Sequence, residues 1–212
     1  MAQRVHHLAI SLDGYATGEG QSLEAPFGHV GARLMEWFFD TPMGSAVHGG
    51  GRVAEGIDAA FVRGWGDGIG VEIMGRNKFT PSRGPWVDDG WKGWWGDNPP
   101  FHTPVIVLTH HPRLPLEVGD TTFHFLDATP HEAIAIAREL APGDIRIGGG
   151  PTTVKEFLGA DLVDYLHLVV VPVIVGRGVN LWDGLEGIEA NFSRVESVTS
   201  PSGVIHVVMS RA

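Results

Sequence analysis

The strongest constraint on the fold is a short apolar strand that leads directly into three consecutive glycines and then into the start of a helix. This segment covers residues 144–153 and reads DIRIGGGPTT. Glycines allow a backbone to approach a ligand closely, and the free amides of a helix N-terminus attract anions. The segment matches neither the G-x-G-x-x-G pattern nor the P-loop. It predicts a cradle for a pyrophosphate, with a plain strand-to-helix turn as the alternative.

Two further predicted strands, at residues 70–74 and 105–109, also end in side chains that suit a phosphate. Open α/β sheets bind ligands at the carboxyl ends of their strands, and the planar guanidinium of arginine suits phosphate. We therefore expect these two strand ends to lie beside the glycine turn. For each end taken alone, the alternative is that its cations are exposed to solvent and bind no ligand. The residues concerned are Gly75, Arg76, Asn77, Lys78, Thr109, His110 and His111.

Charge and composition exclude several classes of protein. The chain has 15 Lys and Arg against 25 Asp and Glu, which gives a net charge of −10 and argues against a nucleic-acid binder. Hydrophobic residues make up 43%, enough for a core, yet no apolar run reaches the ~18–20 residues of a membrane helix. Cysteine is absent, which excludes disulfide scaffolds and thiol catalysis. We expect a soluble, cytoplasmic protein whose partner is a small molecule rather than nucleic acid or a membrane.

The order of predicted elements favours an α/β fold in a single domain over residues 1–212. A capping box of Thr129 and Glu132, with Pro130 at the first helical position, defines the start of one helix. Pro172 predicts an edge or a bulge in a long strand. Strands are predicted at residues 4–12, 70–74, 105–109, 122–126, 145–147 and 165–175, a terminal hairpin at 194–200 and 204–210, and helices at 32–40, 53–61, 129–140 and 152–158.

Taken in order, these segments resemble the dihydrofolate-reductase-like superfamily, and most closely the branch that contains the reductase domain of the riboflavin-pathway deaminase-reductases. The resemblance covers most of the chain, and residues 81–104 lie outside the minimal pattern. It implies a three-layer sandwich with a central mixed, mostly parallel sheet, flanking helices and a C-terminal antiparallel hairpin. The motifs that carry it are SLDG at residues 11–14, MGR at 74–76, VLT at 107–109, IGGG at 147–150 and the stretch at 166–178 that ends in VGRG.

The resemblance implies that NADPH binds at the carboxyl edge of the sheet, with a cis Gly–Gly peptide at Gly148–Gly149. A 2′-phosphate requires arginine or protonated histidine, whereas the ribose of NAD requires a carboxylate, and none adjoins these turns. The cofactor residues that it implies are Ala9 and Ile10 at the nicotinamide, Gly75, Arg76, Asn77 and Lys78 at the phosphates, Leu108, Thr109 and His110 on the adenosine side, and Gly148, Gly149, Gly150, Pro151, Thr152 and Thr153 in the turn.

Asp13 is the predicted catalytic or substrate-orienting residue, with a carboxylate that only shapes an Asp–Gly turn as the alternative. Water can supply the proton for a hydride reduction, so no side-chain acid is compulsory. Where folate reductases place an acidic residue to orient the pterin, this chain has Arg33, which argues against a true folate reductase. The substrate stays open: a small heterocyclic or carbonyl compound for an NADPH-dependent reductase, or none for an NADPH-binding sensing module.

Three further features yield weaker expectations. Four tryptophans lie in residues 86–95, where they form either a wall of the substrate site or a lid or dimer contact. The 11 histidines show no zinc-type spacing, so we expect no metal site. Related reductase domains form dimers, which implies a homodimer here.

Overall fold

The computed structural model describes residues 1–48, 55–87 and 89–212, which form an α/β fold with a large mixed sheet and few helices. The strands are β1 (Gln3–Ser11), β2 (Tyr15–Thr17), β3 (Ile69–Gly75), β4 (Val105–Leu108), β5 (Arg113–Val118), β6 (Thr121–Leu126), β7 (Asp144–Gly149), β8 (Tyr165–Val171), β9 (Val179–Asn180), β10 (Phe192–Thr199) and β11 (Ile205–Arg211). The α-helices are α1 (Glu36–Phe39), α2 (Pro42–His48), α3 (Ile57–Val62), α4 (Arg76–Phe79), α5 (Pro130–Leu140) and α6 (Pro151–Gly159).

The chain divides into two compact units. The first comprises Met1–Val5 and Gly68–Asp164, and the second comprises His6–Asp67 and Tyr165–Ala212. In the first unit the strand order is β1-β7-β3-β4-β6-β5, and all neighbours are parallel except the β5–β6 pair. In the second unit β11 pairs antiparallel with both β10 and β8, and β2 pairs antiparallel with β9. The single domain over residues 1–212 therefore stays a prediction.

Near-continuous apolar runs build the core of the first unit. Ile73 in β3 and Ile106 in β4 have no exposed surface, as expected for parallel strands covered on both faces. α5 contacts β3 and buries Ala133 and Ala137. Its capping box is present as predicted, because the Thr129 hydroxyl accepts from the Glu132 amide and the Glu132 carboxylate accepts from the Thr129 amide.

The second unit has its own apolar core. Buried side chains from β1, α1, α3 and β8 form one cluster, in which Trp37 is the largest. The predicted terminal hairpin is confirmed, since β10 and β11 pair over nearly their full length. None of the helices in the described ranges combines the length and the apolar character that crossing a bilayer requires.

Several boundaries differ from the prediction. The helix expected at residues 32–40 is broken at Met35, whose φ of −118° and ψ of −3° separate a 3₁₀ helix from α1. α2 lies in a segment for which no helix was predicted. α3 begins only at Ile57, and residues 53 and 54 of the helix predicted at residues 53–61 lie outside the described residues. β8 ends at Val171, directly before Pro172. β5 was not predicted, because Pro115 interrupts its alternation of apolar and polar residues.

Candidate functional site

Three strand ends lie side by side in the first unit. β3 pairs in parallel with both β4 and β7, and the register places Gly75 opposite Leu108 and Met74 opposite Gly149. The structure therefore brings together the three segments that the sequence singles out, in the spatial order β7-β3-β4. Ligands of open α/β sheets bind at this carboxyl edge.

The turn between β7 and α6 presents backbone groups rather than side chains. Gly150 is the N-cap of α6, and among the described residues no side chain caps this helix. An uncapped N-terminus offers amide donors and the positive end of the helix dipole to an anion. The cis peptide is at Gly149–Gly150, so its expected position at Gly148–Gly149 is wrong. β7 reaches Gly149, whose φ of +105° is a conformation that glycine adopts readily, so the turn begins one residue later than expected.

The β3 and β7 turns pack against each other at Gly75. A Cβ on Gly75 would lie 2.2 Å from the Thr153 Oγ1, far inside contact distance. Only glycine therefore lets the end of β3 approach the first turn of α6 in this arrangement. Thr153 is buried by this contact, whereas Thr152 beside it is exposed to solvent.

A buried ionic cluster supports the glycine turn. Glu72 of β3 is only 1% exposed and accepts from Lys78 Nζ at 3.2 Å and from Arg146 Nη1 at 3.2 Å. Lys78 Nζ also donates to the carbonyl of Gly148 at 2.6 Å. A Cβ on Gly148 would lie 1.6 Å from Glu72 Oε1, so the cluster can approach the backbone only because residue 148 is glycine.

The cluster gives Lys78 a structural contact with the turn. Burial lowers the pKa of the Lys78 ammonium and the nearby charge of Arg146 lowers it further, while Glu72 opposes both effects. The ammonium binds the carboxylate of Glu72 and the backbone of Gly148, so in this structure it holds the turn in place. A direct contact between Lys78 and a phosphate stays a prediction.

Arg76 opens α4 and lies against an aromatic ring. Its guanidinium carbon is 4.0 Å from the centroid of Trp86, and burial lowers the pKa of the guanidinium. Nε and Nη2 of Arg76 are both buried, and neither has a hydrogen-bond partner among the described residues. Asn77, the next residue, is exposed. Two buried donors of Arg76 at this edge are therefore unused within the described part of the chain.

The end of β4 places polar groups beside Gly75. The amide of Thr109 donates to the carbonyl of Leu126 at 2.8 Å, and the Thr109 hydroxyl accepts from the amide of His111 at 3.1 Å. His110 is 94% exposed, and its Nδ1 lies 3.1 Å from Asp127 Oδ1. The Thr109 hydroxyl proton and the His110 imidazole are thus both positioned at the strand end.

The other predicted site residues belong to the second unit. Ala9 and Ile10 are buried in β1. The Asp13 carboxylate accepts from the Ser11 hydroxyl at 2.5 Å and from the amides of Val175 and Gly176 at 3.1 and 2.7 Å. These hydrogen bonds, above all the one from Ser11, lower the pKa of Asp13. Asp13 is therefore a carboxylate at neutral pH that anchors residues 175 and 176.

Sequence reasoning missed three residues around the first-unit edge. Glu72 and Arg146 each interrupt an otherwise apolar strand, and a charged residue in a buried parallel strand is a detectable signal of internal pairing. Arg113 gave no comparable signal, because its contact with Trp86, one of the tryptophans that the sequence singled out, joins segments separated by an irregular stretch. Within the described ranges, no group of three or more His, Asp or Glu side chains is arranged to hold a metal ion.

Comparison with known proteins gives one family and one fold. A family model described as the RibD C-terminal domain matches residues 5–206. No curated protein matches the sequence.

Solved structures agree with this match. A Shewanella sp. PV-4 protein with a provisional riboflavin-biosynthesis description is 22% identical with a TM-score of 0.60, covering 100% of this chain and 99% of its own. Dihydrofolate reductase from Enterococcus faecalis, complexed with NADP(H), is 15% identical with a TM-score of 0.52, covering 100% and 96%. A deaminase/reductase from Thermotoga maritima is 15% identical with a TM-score of 0.59, covering 100% of this chain and 56% of its own. At these identities the likeness establishes the fold.

Proposed function

Because this chain belongs to the RibD C-terminal domain family, we propose that it is an NADPH-dependent reductase of a small, heterocyclic substrate. The family and the fold support an oxidoreductase of the riboflavin-pathway type. Among the structural neighbours, the Enterococcus faecalis dihydrofolate reductase is described as a complex with NADP(H), which supports the choice of cofactor. Arg33 stands where folate reductases have the acidic residue that orients the pterin, so we propose a heterocyclic substrate other than a folate.

One observation carries the proposal: at the point where three strand ends meet, two buried donors of Arg76 have no hydrogen-bond partner among the residues that the structure describes. A guanidinium stays charged at any physiological pH, and leaving its donors without partners costs free energy. An anion at this edge would supply the missing hydrogen bonds. The uncapped N-terminus of α6 adds backbone donors to the same edge. Together these groups fit a dinucleotide that carries several phosphates.

We assign the residues of the first unit to parts of the cofactor. The turn from Gly148 to Thr153 would hold the nicotinamide and pyrophosphate, with Lys78 and Glu72 keeping its backbone in place. Arg76 and Asn77 would bind phosphate oxygens. Leu108, Thr109 and His110 would bind the adenosine side, where the hydroxyl and imidazole would join Arg76 at the 2′-phosphate.

The second unit supplies the remaining predicted residues. Ala9 and Ile10 would contact the nicotinamide. Asp13 would act by positioning rather than as a proton donor, because its lowered pKa keeps it ionised. NADPH, when bound, supplies a hydride to the substrate, and water can supply the proton. We further propose that the protein is a cytoplasmic homodimer, in keeping with related reductase domains.

Fluorescence titration with NADPH and NADH tests the proposal. We expect saturable quenching by NADPH, and weaker binding of NADH because it lacks the 2′-phosphate that Arg76 would bind. Absence of saturable NADPH binding below about 1 mM, the limit of weak specific binding, would overturn the proposal.

A second candidate is an NADPH-binding sensing module without turnover. The state of Asp13 favours it, because the predicted catalytic carboxylate is fully engaged in hydrogen bonds and its pKa is lowered. Incubation with NADPH and a panel of pterins, flavin precursors and quinones separates the two functions. Stereospecific hydride transfer to any of them identifies a reductase, and NADPH binding without oxidation across the panel favours the sensor.

A further inference from the structure

The segment beyond α4 forms a small pocket that the predicted cofactor residues do not explain. Arg76 at the start of α4 and Arg113 at the start of β5 both line it. Thr80 and Ser82 place two hydroxyls there, and Asp89, whose Oδ1 accepts from the Trp91 amide, is its one acidic side chain among the described residues. Two guanidinium groups and two hydroxyls form the kind of donor set that binds a phosphate monoester.

Trp86 covers the cationic part of this pocket. Its ring centroid is 4.0 Å from the guanidinium carbon of Arg76 and 4.1 Å from that of Arg113. The indole Nε1–H donates to the carbonyl of His111, and the ring meets Phe125 edge-on with centroids 5.0 Å apart. The indole therefore occupies a defined position that several contacts maintain.

The covered state leaves Arg76 poorly satisfied. Its Nε and Nη2 form the edge of the guanidinium that binds a phosphate in bidentate fashion, and both atoms are buried without a partner among the described residues. The contact with the Trp86 face compensates only in part, because a ring face offers no hydrogen-bond acceptor of comparable strength. The cavity has a volume of about 10 Å³, which is room for a single water molecule and not for a phosphate. The pocket as it stands therefore has no room for a phosphate, and the indole of Trp86 lies against both guanidinium groups that would bind one.

We propose that Trp86 is a cover over a phosphate-monoester site between Arg76 and Arg113, displaced when an anion binds there. The inference rests on the proposed function: the 2′-phosphate of NADPH competes with the indole for Arg76, whereas NADH leaves the indole in place. Trp86 is therefore a specificity-determining residue. It belongs to residues 81–104, the stretch that lies outside the minimal sequence pattern of the resemblance.

Replacing the cover tests the proposal. Trp86→Leu removes the contact that binding must break, so we expect the affinity for NADPH to rise about tenfold while that for NADH is unchanged. Trp94→Leu is the matched control, since Trp94 is a half-buried tryptophan of the same segment that does not line the pocket, and it should leave the ratio of the two affinities unchanged. An unchanged ratio in Trp86→Leu, or a loss of NADPH affinity, would overturn the proposal.

A measurement on the unaltered protein covers the case in which Trp86→Leu does not fold. The indole N–H signal of Trp86, followed by NMR, should lose its protection from exchange on addition of adenosine 2′-monophosphate and keep it on addition of adenosine. A phosphorylated substrate is the other source of a phosphate monoester, and ribose 5-phosphate is the probe for it. A change in the signal with ribose 5-phosphate alone would assign the pocket to the substrate rather than to the cofactor. If neither phosphate changes the signal, the pocket is not an anion site.

The same experiments separate this inference from the proposed function. If NADPH binds through Arg76 with no change at Trp86, the reductase proposal stands and the proposal that Trp86 covers the site is wrong. If adenosine 2′-monophosphate binds and releases the indole but NADPH does not bind, the phosphate site stands and the reductase proposal is wrong.

Discussion

Under the proposed function, cofactor selectivity depends most on the side chain of Arg76. Its buried donors lack partners in the described residues, and a charge-assisted hydrogen bond to a phosphate would satisfy them. Arg76→Ala should therefore weaken NADPH binding by about 1–3 kcal/mol more than NADH binding, as measured by titration calorimetry. Arg83→Ala, a change at an exposed arginine of the following segment, should affect neither. An equal loss for both cofactors would show that Arg76 does not bind the 2′-phosphate.

Lys78 stabilises the protein through the buried carboxylate of Glu72. Lys78→Met removes the hydrogen bonds to Glu72 and Gly148 and leaves the carboxylate with Arg146 alone. We expect the free energy of unfolding to fall by about 3 kcal/mol, measured by urea denaturation. The exposed pair of Lys92 and Asp97 provides the comparison, and Lys92→Met should cost less than about 1 kcal/mol. Similar costs for the two variants would contradict a supporting role for the cluster.

Part of the site was predictable from single residues. Arg76 and the three glycines were predicted to lie at one edge of the sheet, where the strand pairing places them, because glycines and cations after apolar strands have a direct physical meaning. The buried state of Lys78 was not predicted, since its partners Glu72 and Arg146 lie on two different strands and only the pairing of those strands places them together. The environment of Asp13 was missed for the same reason. The amides of residues 175 and 176, which donate to its carboxylate, are distant from it in sequence.

Among secondary-structure elements, the contact between the end of β3 and the start of α6 is the most demanding. Gly75→Ala should destabilise the protein, because the new Cβ would lie 2.2 Å from Thr153 Oγ1. Thr153→Ala removes that oxygen, so the double variant should regain most of the lost stability, and the next nearest atom to the new Cβ is 3.5 Å away. Thermal unfolding of the two single variants and the double variant measures this coupling. Additive losses would contradict the packing of the two turns.

Elements with strong local signals were the ones predicted accurately. The capping box and proline fix the start of α5, and the apolar runs of β3 and β4 define buried parallel strands. The region from residue 32 to residue 62 was predicted poorly. Its apolar residues have helical spacing, but tertiary packing breaks them into short pieces, and Met35 takes a conformation that no local signal indicates.

At the scale of the folded protein, a buried histidine in the second unit predicts how stability depends on pH. His167 Nε2 lies 3.0 Å from His206 Nδ1, and His206 Nε2 lies 2.8 Å from Asp58 Oδ1. Burial, together with the charges of His206 and His6, lowers the pKa of His167 from 6.5 to about 3.

Because the folded pKa is lowered, the unfolded chain binds this proton first. His167 therefore costs no stability above pH 6.5, and the free energy of unfolding should fall by up to about 1.4 kcal/mol per pH unit between pH 6.5 and 3. His167→Leu should flatten this slope in urea denaturation, whereas His110→Leu, at an exposed histidine, should leave it unchanged. Identical slopes in all three proteins would contradict the burial of a neutral His167.

A crystal structure of the protein with NADPH is the most direct test of the central claim, which is that three parallel strand ends bind a dinucleotide. The account predicts that the pyrophosphate lies against the backbone between Gly149 and Thr153, that the 2′-phosphate lies within hydrogen-bond distance of Arg76, and that Trp86 has moved from its position over that guanidinium. A structure determined at saturating NADPH would contradict this prediction if this edge were empty or if the dinucleotide were bound elsewhere on the protein.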